Sequence, residues 1–155
     1  MANYVSTTCS NSFKVKADNI ENVRKALDYF EESYVDDEGN AFIGSYEDSM
    51  SDELVVLIDK RTNKVVGTYE SSYQMAEDII DEEEPNMENY LEKDFVEFLQ
   101  ENMLDGEYCL IKEVGHEKLR YAVGCGLLIT KNLVRWLDID AMARKILAEE
   151  EGITL

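Results

Sequence analysis

Residues 107–137 read EYCLIKEVGHEKLRYAVGCGLLITKNLVRWL. Two apolar, β-branched runs, Glu107–Val114 and Leu119–Ile129, flank Gly115-His116-Glu117, and Lys131-Asn132 separates the second from Leu133–Leu137. Such runs broken by two or three turn residues predict a three-stranded antiparallel meander. Upstream, Leu54–Ile58 and Lys64–Tyr69 joined by Arg61-Thr62-Asn63 predict a hairpin. Tyr4–Lys16 reads as a strand bent at Ser10-Asn11, and Asp36–Asn40 as a turn between short strands near 33–35 and 41–46. Helical spacing appears between these groups. Ile20, Val23, Leu27 and Phe30 predict a helix over 19–32 behind an Asp18/Glu21 capping box. Ser71/Gln74 and the stripe Met75, Ala76, Ile79, Ile80 predict a second helix, ended by Pro85. Met87, Leu91, Phe95, Phe98, Leu99 and Met103 predict a third over 87–104. Asp138, followed by Ile139, Met142, Ala143, Ile146 and Leu147 with Gly152 beyond, predicts a last one. The expected class is α+β: antiparallel strands and hairpins with about four amphipathic helices, two of them strongly acidic. One domain over 1–155 is expected, with room for an acidic helical insert at 71–105.

Charge is the unusual property. The chain carries 34 Asp and Glu against 15 Lys and Arg, a net −19, although its 45% hydrophobic content is that of an ordinary globular protein. The imbalance is local: residues 26–111 hold 25 acids and four bases, whereas 112–148 hold seven bases and four acids. A surface of this sign repels nucleic acid and anionic membranes and attracts basic partners. No apolar run approaches the ~18–20 residues that span a bilayer. Met1-Ala2-Asn3-Tyr4 has neither the basic start nor the apolar core of a secretion signal. Cys9, Cys109 and Cys125 are odd in number and scattered, the pattern of reduced thiols. A cytoplasmic protein, in a bacterial cytosol, is the expectation.

No catalytic set stands out. His116 is the only histidine and falls in the predicted turn, away from cysteines inside strands. Gly124-Cys125-Gly126 is not a phosphate loop; inside a strand, glycine marks a bulge or close packing. Asp36, Glu38 and Asn40 imitate the first calcium-loop ligands, but Ala41 stands where the sharp turn needs glycine. Among 34 acids, carboxylate pairs arise by chance. The reading is non-enzymatic, without metal or cofactor.

What remains is charge spacing. As a helix, Ser72–Glu84 would be about 20 Å long at ~1.5 Å per residue, one carboxylate per ~3.3 Å, against ~3.4 Å per phosphate along a DNA strand. Ordinary solvated helices mix Glu with Lys at i,i+4; here Lys93 is the only base between Glu70 and Glu107. The candidate partner-binding residues are Glu77, Asp78, Asp81, Glu82, Glu83 and Glu84, with Glu88, Glu92, Glu97 and Glu101 on the next helix. Asp36, Asp37, Glu38 and the stretch Glu47–Glu53 form a secondary patch. Their expected partner is a basic DNA- or guide-binding protein, with no direct nucleic acid and no membrane. A second expectation is an immunity-type module that neutralises a basic toxin, restriction enzyme or nucleoid protein.

Two segments carry a resemblance. Met1–Thr8 (MANYVSTT) with Ser12–Lys16 (SFKVK), and Glu113–Tyr121 (EVGHEKLRY), resemble small acidic proteins of phages and mobile elements, some of the anti-CRISPR or antirestriction kind. The resemblance covers the ends of the chain and leaves the acidic middle outside it. It implies host-defence evasion, with a CRISPR effector complex as the first target and a restriction enzyme as the second.

Overall fold

A computed structural model describes the backbone for residues 5–117 and 121–154, and side chains for 7–115 and 124–154. In chain order the strands are β1 (Val5–Ser10), β2 (Phe13–Lys14), β3 (Tyr34–Val35), β4 (Asn40–Phe42), β5 (Gly44–Ser45), β6 (Leu54–Asp59), β7 (Lys64–Glu70), β8 (Tyr90–Asp94), β9 (Cys109–Glu117), β10 (Tyr121–Ile129) and β11 (Val134–Asp138). The α-helices are α1 (Ile20–Leu27), α2 (Phe95–Asn102) and α3 (Ile139–Ile146). Three antiparallel sheets result, in the orders β11-β10-β9-β1-β5, β2-β4-β3 and β7-β6-β8. The chain is α+β.

The meander forms as its alternation demands. Cys109 and Ile111 on β9, and Leu127 and Ile129 on β10, point into the core, while Leu110, Lys112 and Val114 take the other face. β9 runs on to Glu117, so Gly115-His116-Glu117 is strand rather than turn, and the connection at 118–120 lies outside the described residues. The hairpin β6–β7 also forms, closed by Asn63 at φ 56°. Its strand β6 is central and covered on both faces, which is why LVVLI reads as a continuous apolar run. Leu54 and Val56 face the main core with Phe30, Phe95, Phe98 and Leu99. Leu57 faces a smaller cluster of Tyr69, Ala76, Ile80 and Tyr90.

Three α-helices form among the described residues rather than about four, and the two acidic ones are not built as expected. Residues 71–89 are a loop holding two short 3₁₀ turns, Ala76–Ile79 and Met87–Asn89. Ser71 donates its hydroxyl to the Glu53 carbonyl instead of capping a helix. The physical reason is like charge at i,i+4 (Glu77/Asp81, Asp78/Glu82) with no base to offset it, which disfavours a helix. Ala76 and Ile80 are the buried residues of this loop, with Ile79 and Met87 packed partly against the same cluster, and one tight turn ending in an extended Ile80 places them there. Residues 87–104 divide. Tyr90–Asp94 pairs with β6, in the register Leu57↔Glu92, and α2 begins only at Phe95. Met87, Leu91 and Phe95 therefore share a spacing but not a helix: Leu91 is 43% exposed, whereas Phe95, Phe98, Leu99 and Met103 are in the core. The segment 71–105 is thus not a helical insert; it supplies an edge strand, a loop covering the second cluster and the core helix α2. α1 is shorter than expected, ending at Leu27, with Phe30 buried beyond it and no side-chain cap from Asp18 or Asn19. No helix among the described residues is long and apolar enough to cross a membrane.

Candidate protein-binding surface

The acidic loop is pinned at a few points. At its start, Asp78 accepts the Met75 amide at 3.3 Å. At its end, Asn86 accepts the Glu88 amide, and Lys60 donates Nζ to the Glu88 carbonyl at 3.1 Å. The central pin is Arg61, in the β6–β7 turn. Its guanidinium grips Asp59 through Nε and Nη2, both at 3.0 Å, and reaches Glu82 Oε1 at 2.8 Å and the Tyr90 hydroxyl at 3.0 Å. Tyr90 in turn donates to Glu82 at 2.7 Å. Hydrogen bonds from Arg61 and Tyr90 hold the Glu82 carboxyl below its ordinary range, and the Arg61 bonds lower Asp59 likewise. Bonding to Glu82 raises the Tyr90 hydroxyl.

Glu82, though exposed, is therefore committed to Arg61 and Tyr90, while its neighbours are not. Glu77, Asp81, Glu83, Glu84 and Glu88 are exposed and form no ion pair among the described residues. On β8, Glu92 is exposed beside Tyr69, whose hydroxyl is pushed up to about 12 by burial and then by that carboxylate. On α2, Glu97 and Glu101 lie one turn apart on the same face. Lys93 pairs with Glu101 at 2.5 Å, and both carboxylates border an open groove of about 860 Å³ that also holds Lys16, Lys93 and Lys131. That rim carries both signs, so it is not a continuation of a purely negative face.

The secondary patch is divided in the same way. Asp36 Oδ1 accepts the amides of Glu38 and Asn40, and Oδ2 the Asn40 side chain, which together hold its carboxyl low. Asp37 pairs with Arg24 at 3.3 Å; Glu38 is exposed. In the Glu47–Glu53 stretch, Asp48 is half-buried with its carboxyl raised by desolvation, then by Glu47 and Glu70. The acids first assigned to two helices thus occupy a loop, an edge strand and a helix face. Sequence reading missed Lys60, Arg61 and Tyr90, the groups that shape the loop. Two adjacent bases at a turn facing an acid block were the available signal.

Among the described residues no group of three or more His, Cys, Asp or Glu side chains is disposed to hold a metal ion. His116 lies in β9, opposite Val5 and Ala122, with its side chain outside the described set. Cys109 is buried, its thiol pushed up to about 12 by desolvation. Cys125 is raised by burial and by Glu113, whose Oε2 lies 3.6 Å from the sulfur; both effects disfavour the thiolate a nucleophile needs. No protein-family model matches the chain, and neither a curated protein nor a solved structure is significantly similar to it.

Proposed function

We propose that this chain is a non-enzymatic inhibitor of a bacterial defence system, in the first place a CRISPR effector complex, that lodges as an acidic stand-in for DNA in a basic nucleic-acid groove. The observation that carries the reading is Asp81–Glu84: four consecutive exposed acids on non-helical chain, of which only Glu82 is spent on an internal cation. The charge density expected of a helix arises differently in such a loop. Through the bends at Glu82–Glu84, successive residues are at most ~3.3–3.6 Å of contour apart, so the carboxylates are at least as dense as the phosphates of one DNA strand at ~3.4 Å. Arg61 and Lys60 anchor the loop before any partner arrives, so less ordering cost falls on binding. Glu77, Glu88 and Glu92 extend the negative surface beside it. A −19 protein also approaches a basic groove under long-range attraction, which raises the association rate at low salt.

The test spares Glu82, because its reversal would break the Arg61 anchor as well as the surface. A triple variant, Asp81→Lys, Glu83→Lys and Glu84→Lys, is expected to lose inhibition of a sensitive CRISPR effector while keeping its circular dichroism spectrum and unfolding midpoint. Binding of the unaltered chain is expected to weaken steeply from low to moderate salt and to compete with duplex DNA. Full inhibition by the triple variant would refute the reading. Recovery of a basic toxin or histone-like protein, and no defence complex, in pull-downs from a CRISPR-bearing host would replace it with an immunity-type module.

A further inference from the structure

The secondary acidic patch contains an aromatic surface that the fold holds in place. Tyr34 on β3 stands opposite Phe42 on β4, and their rings stack with centroids 5.4 Å apart and planes 25° from parallel. Phe42 is the lower layer. It is half-buried and lies back over Gly44, where a Cβ would come within 2.6 Å of Phe42 Cε1, so the absence of a side chain at Gly44 makes room for the ring. Tyr34 is the upper layer: its ring rests on Phe42, and the residue stays 56% exposed.

Carboxylates border the stack. Asp36, two residues beyond Tyr34, accepts the Asn40 side-chain amide at Oδ2, and Asn40 shares the outer face of β4 with Phe42. Its Oδ1 accepts two backbone amides, so the carboxylate is fixed in position and ionised at neutral pH. At the other end, a Cβ on Gly44 would lie 3.5 Å from Glu32 Cβ, which places Glu32 beside the Phe42 ring. Glu31, Glu32 and Glu38 are exposed and form no ion pair among the described residues, and no Lys or Arg occurs from Ala26 to Asp59. Two bases approach from other elements. Arg24 is spent: it donates Nε and Nη2 to the Val35 carbonyl at 2.9 and 2.6 Å and pairs with Glu21 and Asp37. Lys14, opposite Asn40 on β2, pairs with none of these carboxylates.

These groups together select one kind of ligand. An aromatic face attracts a cation through its quadrupole, and carboxylates beside it add charge and hydrogen-bond acceptors. The arginine guanidinium meets both demands at once: flat and delocalised, it stacks on a ring and still turns its N–H fork to a carboxylate, whereas the lysine ammonium is a compact, strongly hydrated point charge. The cation arrives as a side chain and not on an added strand, because Arg24 already occupies the Val35 carbonyl on the free edge of β3.

We propose that Tyr34, stacked on Phe42 between Glu32 and Asp36, seats an arginine side chain of the basic protein to which this chain binds. The choice of partner rests on the reading of the chain as the ligand of a basic groove; the site itself is tested without any target.

The full chain, with isotope-labelled tyrosine rings, is titrated by NMR at ~0.15 M salt with two capped tripeptides that differ only in carrying one arginine or one lysine between glycines. The arginine peptide is expected to shift the Tyr34 ring signals and to bind about threefold more tightly than the lysine peptide. Tyr34→Leu changes no charge and is expected to abolish that preference; Tyr34→Phe keeps the ring and is expected to retain it. The ring shift in the unaltered chain needs no variant to fold. Tyr34 signals unmoved by the arginine peptide, equal affinities for the two peptides, or a preference that survives Tyr34→Leu would overturn the proposal. An indifferent Tyr34 in a chain whose inhibition is lost on reversal of Asp81, Glu83 and Glu84 would remove this site and leave the groove reading standing. A Tyr34-dependent preference for arginine in a chain that stays fully inhibitory after that reversal would do the opposite.

Discussion

Asp94→Ala has opposite expected signs for the two ways of folding residues 87–104. Asp94 ends β8 and caps α2, its Oδ2 accepting the Glu97 amide at 3.1 Å. Removing a capping Asp typically costs ~1 kcal/mol, within a range of about 0.5–2. Within one continuous helix, the same residue would be an exposed interior Asp, and its replacement by Ala would stabilise by up to ~0.7 kcal/mol. Loss of one negative charge from a −19 chain acts in both cases, so Asp94→Asn is the control: it makes the same charge change but remains a good cap. Urea unfolding followed by circular dichroism measures both variants. Asp94→Ala is expected to lie ~1 kcal/mol below Asp94→Asn, about 2–4 °C in thermal midpoint for a chain of this size. Equal stability, or an Ala variant more stable than the Asn variant, would refute the strand-then-cap arrangement and with it the account of where Glu92, Glu97 and Glu101 sit.

Other expectations concern the turn, the loop anchor and the core. Gly39 has φ 87°, and a Cβ there would lie 2.8 Å from the Val15 carbonyl oxygen, so Gly39→Ala is expected to destabilise by more than the ~1–2 kcal/mol of left-handed strain alone; denaturant unfolding checks this, and a neutral result would contradict the turn geometry. The depressed Glu82 carboxyl contributes stability that is present above its ordinary value of 4.5 and lost as pH falls through the lowered one. Carboxyl-resolved NMR titration of Arg61→Gln is expected to bring Glu82 back up, and an unchanged titration would remove Arg61 as the cause. Cys109, fully buried with its thiol pushed up to about 12, is expected to resist thiol reagents in the folded chain and to react on unfolding. Mass spectrometry after brief labelling shows which cysteine is modified, and early labelling of Cys109 would place it outside the core.

The sequence by itself determined the elements whose signal is local. The apolar, β-branched runs of β6, β7, β9, β10 and β11 form strands because each is short and bounded by turn residues, whether it alternates, as β9 does, or is apolar throughout, as β6 is. Asp138 marks the start of α3, and the class α+β follows from the grouping of strands. The sequence also determined the excess of carboxylates and its confinement to the middle of the chain. Tertiary structure decided how that middle folds. Leu91-Glu92-Lys93 has helical spacing with its neighbours, yet β6 needs a second edge partner, and backbone pairing with Ile58, Leu57 and Val56 outweighs a weak local preference. Asp94 and Glu97 had the form of a capping box, a local clue to where α2 starts. Arg61 could not be assigned from sequence because its partners Glu82 and Tyr90 are 21 and 29 residues away and meet it only when the loop closes over the sheet. Spacing along a chain sets which residues share a face of one element; which carboxylates turn inward to a cation, and which stay available to a partner, depends on contacts between elements.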